Sequence, residues 1–129
     1  MRLLLDTHIF LWYITGDQRL SRHFRESIEN AEVVFVSVVS IWEAIIKHTI
    51  GKLPLPEAPF PWLSTQRELH GFISLPVEEW SFADLGQLPR HHDDPFDRML
   101  VSQALGGNLL LVTVDPVLAK YSASLLTPG

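Results

Sequence analysis

Residues 109–116 read Leu109-Leu110-Leu111-Val112-Thr113-Val114-Asp115-Pro116. The apolar run is continuous rather than alternating, which is the pattern of a strand buried on both faces of a parallel sheet. An Asp followed by Pro is the pattern of a helix N-cap with Pro at the first helical position. A buried strand that passes directly into a helix start is the building unit of an α/β fold.

The same arrangement opens the chain, where Leu3-Leu4-Leu5 is followed by Asp6 and Thr7 begins a helical stretch. Val33-Val34-Phe35-Val36 and Phe72-Ile73-Ser74-Leu75 read as two more strands. Helical patterns over residues 21–30, 38–50, 62–70, 77–85 and 95–105 separate them. The alternation predicts an α/β fold with a mostly parallel sheet. Pro and Gly punctuate two long connections, residues 51–61 and 86–94, with no repeat and no low-complexity tract. The length of 129 residues suits a single domain spanning 1–129.

At 47% apolar and 19% charged residues the chain can bury a core. It has no cysteine, which excludes disulfides, thiolate catalysis and zinc–sulfur sites and fits a reducing compartment. A metal would have to be held by oxygen or imidazole, favouring a hard ion. The first residues resemble a weak signal peptide, but Asp6 and His8 interrupt the apolar run and no small-residue cleavage site follows. No stretch is long enough to span a bilayer, and the expectation is a soluble, cytoplasmic protein. The net charge of −5 is the opposite of what a nucleic-acid binder usually shows, unless acids are grouped around divalent cations that neutralise them.

Four acids fit that exception. Asp6 and Asp115 each stand where a parallel strand gives way to a helix, the edge at which open α/β sheets hold their ligands. Glu43 lies about five residues into the next helix, so roughly 8 Å from the edge, and its side chain leans back toward it. In Asp94-Pro95-Phe96-Asp97, Asp94 reads as an N-cap and Asp97 as the third helical residue, at the same edge. Each acid has an ordinary alternative: Asp6 and Asp115 as simple caps, Asp97 as a complement to the helix dipole, Glu43 as the i, i+4 partner of Lys47 on a solvated face. The last is the weakest, because an acid among Ile41, Trp42, Ala44 and Ile45 is costly unless satisfied. Four carboxylates in one crevice repel unless cations neutralise them, and oxygen-only sites suit Mg²⁺ chemistry on phosphates. The reaction expected is phosphodiester hydrolysis.

Four segments in order then resemble those of PIN-domain proteins, most closely VapC-type toxins of toxin–antitoxin pairs: LLLDTHIFLW, SVVSIWEAIIKHTIGKL, HHDDPFDRMLVSQAL and LLLVTVDPVLAKY. The resemblance implies a three-layer α/β/α domain and an endoribonuclease dependent on Mg²⁺, with Mn²⁺ able to substitute. It maps the metal-holding acids onto Asp6, Glu43, Asp97 and Asp115, adds Thr113 as a supporting hydroxyl, and points to Thr7, Ser37 and Asp94 as outer groups. It further implies a homodimer, an RNA substrate and an antitoxin that reaches a basic side chain into the acidic crevice. In many members the residue before Asp94 is basic; here it is Asp93.

His91, His92, Arg90 and Arg98 flank this site, either to contact phosphate or as an exposed polar loop. Lys47, His48 and Lys52 form a basic stripe, for an RNA backbone or merely a solvated helix face. His8, His23 and His70 lack zinc spacing and read as structural or surface residues. Trp12 and Trp42 lie in apolar helical patterns and read as core, whereas Trp62 follows a proline-rich loop and suits a partner surface. An aspartyl-phosphate enzyme is disfavoured, since His8 stands where a second Asp is needed and Pro116 where a lysine is. A silent interaction module and a processing nuclease without an antitoxin are the remaining alternatives.

Overall fold

A computed structural model describes residues 1–121 and the strand Leu125–Leu126. Among the described residues five strands are found: β1 (Arg2–Leu5), β2 (Val33–Ser37), β3 (Ile73–Leu75), β4 (Leu110–Val112) and β5 (Leu125–Leu126). All pairings are parallel and the spatial order is β3-β2-β1-β4-β5. β1 is central, with Leu3, Leu4 and Leu5 beside Leu110, Leu111 and Val112. The chain steps outward from β1 to β3, then returns to the other side of β1, so the order reverses between β1 and β4. A crevice opens outside the carboxyl ends of strands at such a reversal.

The α-helices of the described residues are α1 (Thr7–Thr15), α2 (Arg22–Asn30), α3 (Val38–Thr49), α4 (Pro59–Leu69) and α5 (Pro95–Gly107). Successive side chains of a strand point to opposite faces, and β1 feeds both sides of the sheet accordingly. Leu3 and Leu5 pack with Phe10 of α1, Phe24 and Ile28 of α2 and Leu63 of α4. Leu4 packs instead with Leu100, Val101 and Ala104 of α5. This is the three-layer α/β/α arrangement, and the strands read as continuous apolar runs because neither face is wet. Local signals place the helix ends: Ser21 accepts from Phe24 N–H to cap α2 (3.2 Å), and Gly16 closes α1 in the left-handed conformation.

Residues 77–85 depart most from the expected α-helix. They form two 3₁₀ turns, Glu79–Phe82 and Leu85–Gln87, rather than an α-helix. Ser81 Oγ accepts from Glu78 N–H, and the Ser81 carbonyl accepts from Ser102 Oγ of α5, which diverts it from an α-helical ladder. Asp115 likewise starts no α-helix, only a turn followed by the 3₁₀ segment Leu118–Lys120. The helix expected over 62–70 begins earlier because Pro59 and Pro61 sit in its first turn, where their missing N–H groups cost nothing. β5 has two residues, too few for a periodic signal.

Candidate active site

Asp6 ends β1 and is almost fully buried. Its Oδ1 accepts from Thr7 N–H at 2.7 Å, and its Oδ2 accepts from Thr113 Oγ1 of the adjoining strand end at 2.7 Å. The Asp6 N–H itself bonds the Val112 carbonyl, so strand pairing continues up to the site. Burial pushes the Asp6 carboxyl above its ordinary value, with Glu43 adding to this, while Thr113, His8 and the Thr7 N–H oppose it. Thr113 Oγ1 also accepts from Asp115 N–H at 3.0 Å, and Asp115 Oδ1 accepts from Val117 N–H at 2.9 Å. One hydroxyl thus ties the two strand-end aspartates together.

Glu43, on α3, is buried although its helix neighbour Trp42 is 60% exposed. Its Oε1 accepts from Thr7 Oγ1 at 2.7 Å, and Ser40 Oγ lies 2.9 Å from the same hydroxyl. Its Oε2 meets Lys47 Nζ at 2.6 Å. The expected i, i+4 pair therefore exists, but at a buried carboxylate rather than on a solvated face. Partial burial works against the Lys47 charge; the bond to Glu43, with Asp94 and Asp97 nearby, outweighs it and raises the Lys47 pKa.

Asp97 lies in the first turn of α5, which Asp94 caps by accepting from Phe96 N–H (2.8 Å) and Asp97 N–H (3.2 Å). Burial, and then repulsion from Asp6, Asp94, Glu43 and Asp115, pushes the Asp97 carboxyl up to about 8. Asp6, Glu43 and Asp115 thus each lie close enough to Asp97 to act on its charge, at the carboxyl ends of β1 and β4. His92 completes the group. Its Nε2 is 3.2 Å from Asp97 Oδ2 and 3.1 Å from Asp115 Oδ2, and its Nδ1 accepts from Asp94 N–H at 3.0 Å. The donors are anionic oxygens, most already oriented by a hydroxyl or an N–H, and such a set fits a hard divalent ion such as Mg²⁺ or Mn²⁺. Asp6, Glu43, Asp97 and Asp115 could hold it.

The family model described as "PIN domain" matches residues 3–123. The chain belongs to the PIN domain family. Ribonuclease VapC22 of Mycobacterium tuberculosis is 25% identical over 140 aligned positions, covering 92% of this chain and 91% of the relative. Among solved structures, VapBC2 from Rickettsia felis, bound to a DNA fragment from its promoter, is similar in fold with a TM-score of 0.73 at 13% identity, both chains being covered completely. DNA-bound VapBC from Salmonella typhimurium gives 0.71 at 17% identity, with 98% of each chain covered.

Within this PIN domain several flanking residues sit elsewhere than their sequence suggests. His92 is turned inward onto two carboxylates, neither an exposed loop residue nor a free phosphate contact. Arg98 points away from the crevice, to the carbonyls of Leu85, Leu88, Pro89 and His92 and to Tyr121 Oη. The basic stripe is broken up, since Lys47 is committed to Glu43 and His48 Nδ1 lies 2.9 Å from the Leu53 carbonyl. Ser37 bonds Gln103 Oε1 (2.6 Å) and caps α3 instead of touching the acids. Trp42 is not core: it stands exposed, edge-on to Phe96 at 4.9 Å between centroids. Ser40 and His92 are the contributors that residue spacing did not isolate. Both are placed by tertiary contacts, Ser40 by Thr7 of α1 and the His92 backbone by Tyr121 Oη at 3.0 Å.

Proposed function

We propose that this PIN domain is a Mg²⁺-dependent endoribonuclease, with Mn²⁺ able to substitute, and the toxin of a cytoplasmic toxin–antitoxin pair. The observation that carries this reading is the meeting of Asp6, Glu43, Asp97 and Asp115, from four separate segments, beside Thr113 in the crevice at the sheet reversal. An RNA substrate and an antitoxin partner are supported by the likeness to a protein named ribonuclease VapC22 and to VapBC structures.

Asp6, Glu43, Asp97 and Asp115 would hold the ion, which when bound supplies Lewis acidity at the scissile phosphoryl group and a more acidic water. Thr113 fixes the Asp6 carboxylate, and Thr7 fixes Glu43, so neither acid has to reorganise during the reaction. Lys47 offsets part of the charge at Glu43 and faces the site from α3. In the net reaction water adds to phosphorus, the bond to the leaving ribose oxygen breaks, and that oxygen takes up a proton. No helix among the described residues is long and apolar enough to cross a membrane.

An apolar groove of about 590 Å³ runs between α3 and α5, lined among others by Val38, Trp42, Phe82, Phe96 and Met99. It supports a homodimer, since exposed aromatic patches of this kind mark association surfaces. The acidic crevice remains the place for a basic side chain of the antitoxin. The decisive experiment is Asp97→Asn assayed on labelled RNA with Mg²⁺, with circular dichroism to confirm the fold. Cleavage should be abolished. Cutting at the parent's rate would remove the four-carboxylate mechanism.

A further inference from the structure

Resting on the metal site proposed above, we infer that His92 is not a ligand but the chain's own occupant of the Asp97–Asp115 part of that site, which a divalent ion must displace. Three atoms, one each from His92, Asp97 and Asp115, lie within 4.8 Å of one another, a spacing that by itself would equally suit a histidine–carboxylate metal site. Hydrogen bonding decides between the two roles. The Nδ1 atom accepts the Asp94 backbone N–H at 3.0 Å, so its lone pair is used there and the ring proton resides on Nε2. That proton faces Asp115 Oδ2 at 3.1 Å and Asp97 Oδ2 at 3.2 Å.

A nitrogen that ligates a metal must present a lone pair. For His92 Nε2 to do so the proton would have to move to Nδ1, where it would confront the Asp94 N–H, donor against donor. The arrangement therefore favours donation to the two carboxylates and opposes ligation. It also places a donor between Asp97 and Asp115. Two main-chain contacts hold the segment independently of the ring: His92 N–H donates to Tyr121 Oη, and Arg98 Nη1 donates to the His92 carbonyl at 3.4 Å. The side chain is 20% exposed, so one edge of the ring already meets solvent. An ion held by Asp97 and Asp115 would compete with the Nε2–H for these carboxylates. Ion binding and release of His92 are then one event.

The test is Mn²⁺ binding by calorimetry to the parent and to His92→Phe, which keeps a ring of similar shape without a donor. His92→Gln, which keeps a donor, serves as the second variant. His92→Phe should bind Mn²⁺ about tenfold more tightly, the factor that loss of one net hydrogen bond to a charged group ordinarily carries, with His92→Gln between it and the parent. Electron spin echo spectra of bound Mn²⁺ should show no ¹⁴N coupling that depends on residue 92. In the parent, Mg²⁺ should shift the His92 ring resonances away from the Nε2–H tautomer pattern of the metal-free protein, a readout that needs no variant. Weaker binding by His92→Phe together with loss of a ¹⁴N coupling would make His92 a ligand and overturn the inference. Unchanged affinity would overturn it as well. A parent that binds no Mn²⁺ at all would instead remove the metal site itself, and this inference with it.

Discussion

A single hydroxyl, Thr113 Oγ1, donates to a buried carboxylate and accepts from the next aspartate's backbone. Thr113→Val keeps its shape but leaves Asp6 Oδ2 buried without that donor, an omission that costs about 1–3 kcal/mol. Urea unfolding should show that loss, and Thr113→Ser should recover most of it. Asp97 makes a prediction about pH. Its carboxyl is held at about 8 against an ordinary value of 3.8, so the folded protein keeps a proton that the unfolded chain releases. Between these two values the folded state binds more protons, and stability falls as pH rises. The contribution is fully present below about pH 4 and gone above about pH 8. Thermal melting of the metal-free protein should therefore drop across that window, and saturating Mg²⁺ should restore the loss at its upper end. Asp97→Asn, which cannot ionise, should flatten the profile.

At the level of elements, the acids are deliverable because each stands at a strand end or in the first turns of a helix that faces the same edge. Asp94 is the cap that fixes the start of α5, and Asp94→Ala should cost about 1 kcal/mol in unfolding experiments. Gly106 shows a different constraint, since a Cβ there would come within 2.7 Å of the Trp80 ring in the preceding 3₁₀ turn. Gly106→Ala should destabilise by about 1–3 kcal/mol through overpacking, and shortening Trp80 to Leu in the same chain should relieve part of it. Trp80 lies in the segment 77–85, where an α-helix was expected and two 3₁₀ turns stand. Apolar spacing records which residues turn inward, but not that Ser81 gives its carbonyl to Ser102 or that the Trp80 indole packs against Gly106. Strands β1, β2 and β4 were legible because burial on both faces leaves unbroken apolar runs. Asp6, Glu43, Asp97 and Asp115 could be selected because a carboxylate at a strand end or inside an apolar helix is expensive without a purpose. His92 could not, as nothing local distinguishes it from His91; what turns it inward is Asp94 two residues on and Tyr121 far along the chain.

For the whole molecule, two surfaces stand apart: an anionic crevice at the sheet reversal and an apolar groove between α3 and α5. If the groove joins two copies, Trp42→Glu should shift the sedimenting species to half the mass while leaving the melting of the monomer fold cooperative. A parent that sediments as a monomer at tens of micromolar would argue against the dimer. The order of strands carries one more consequence, and it concerns time rather than space. β1 precedes the other four strands yet lies in the middle, and its partner β4 starts at residue 110. The Asp6–Thr113 hydrogen bond closes a separation of 107 residues. Contacts of such long range form late, because loop closure has to precede any gain from pairing. A nascent chain therefore carries Asp6 and Glu43 from early in its synthesis but has no crevice to put them in. The nuclease proposed above would stay harmless to the ribosome and message producing it until β4 and Thr113 have emerged.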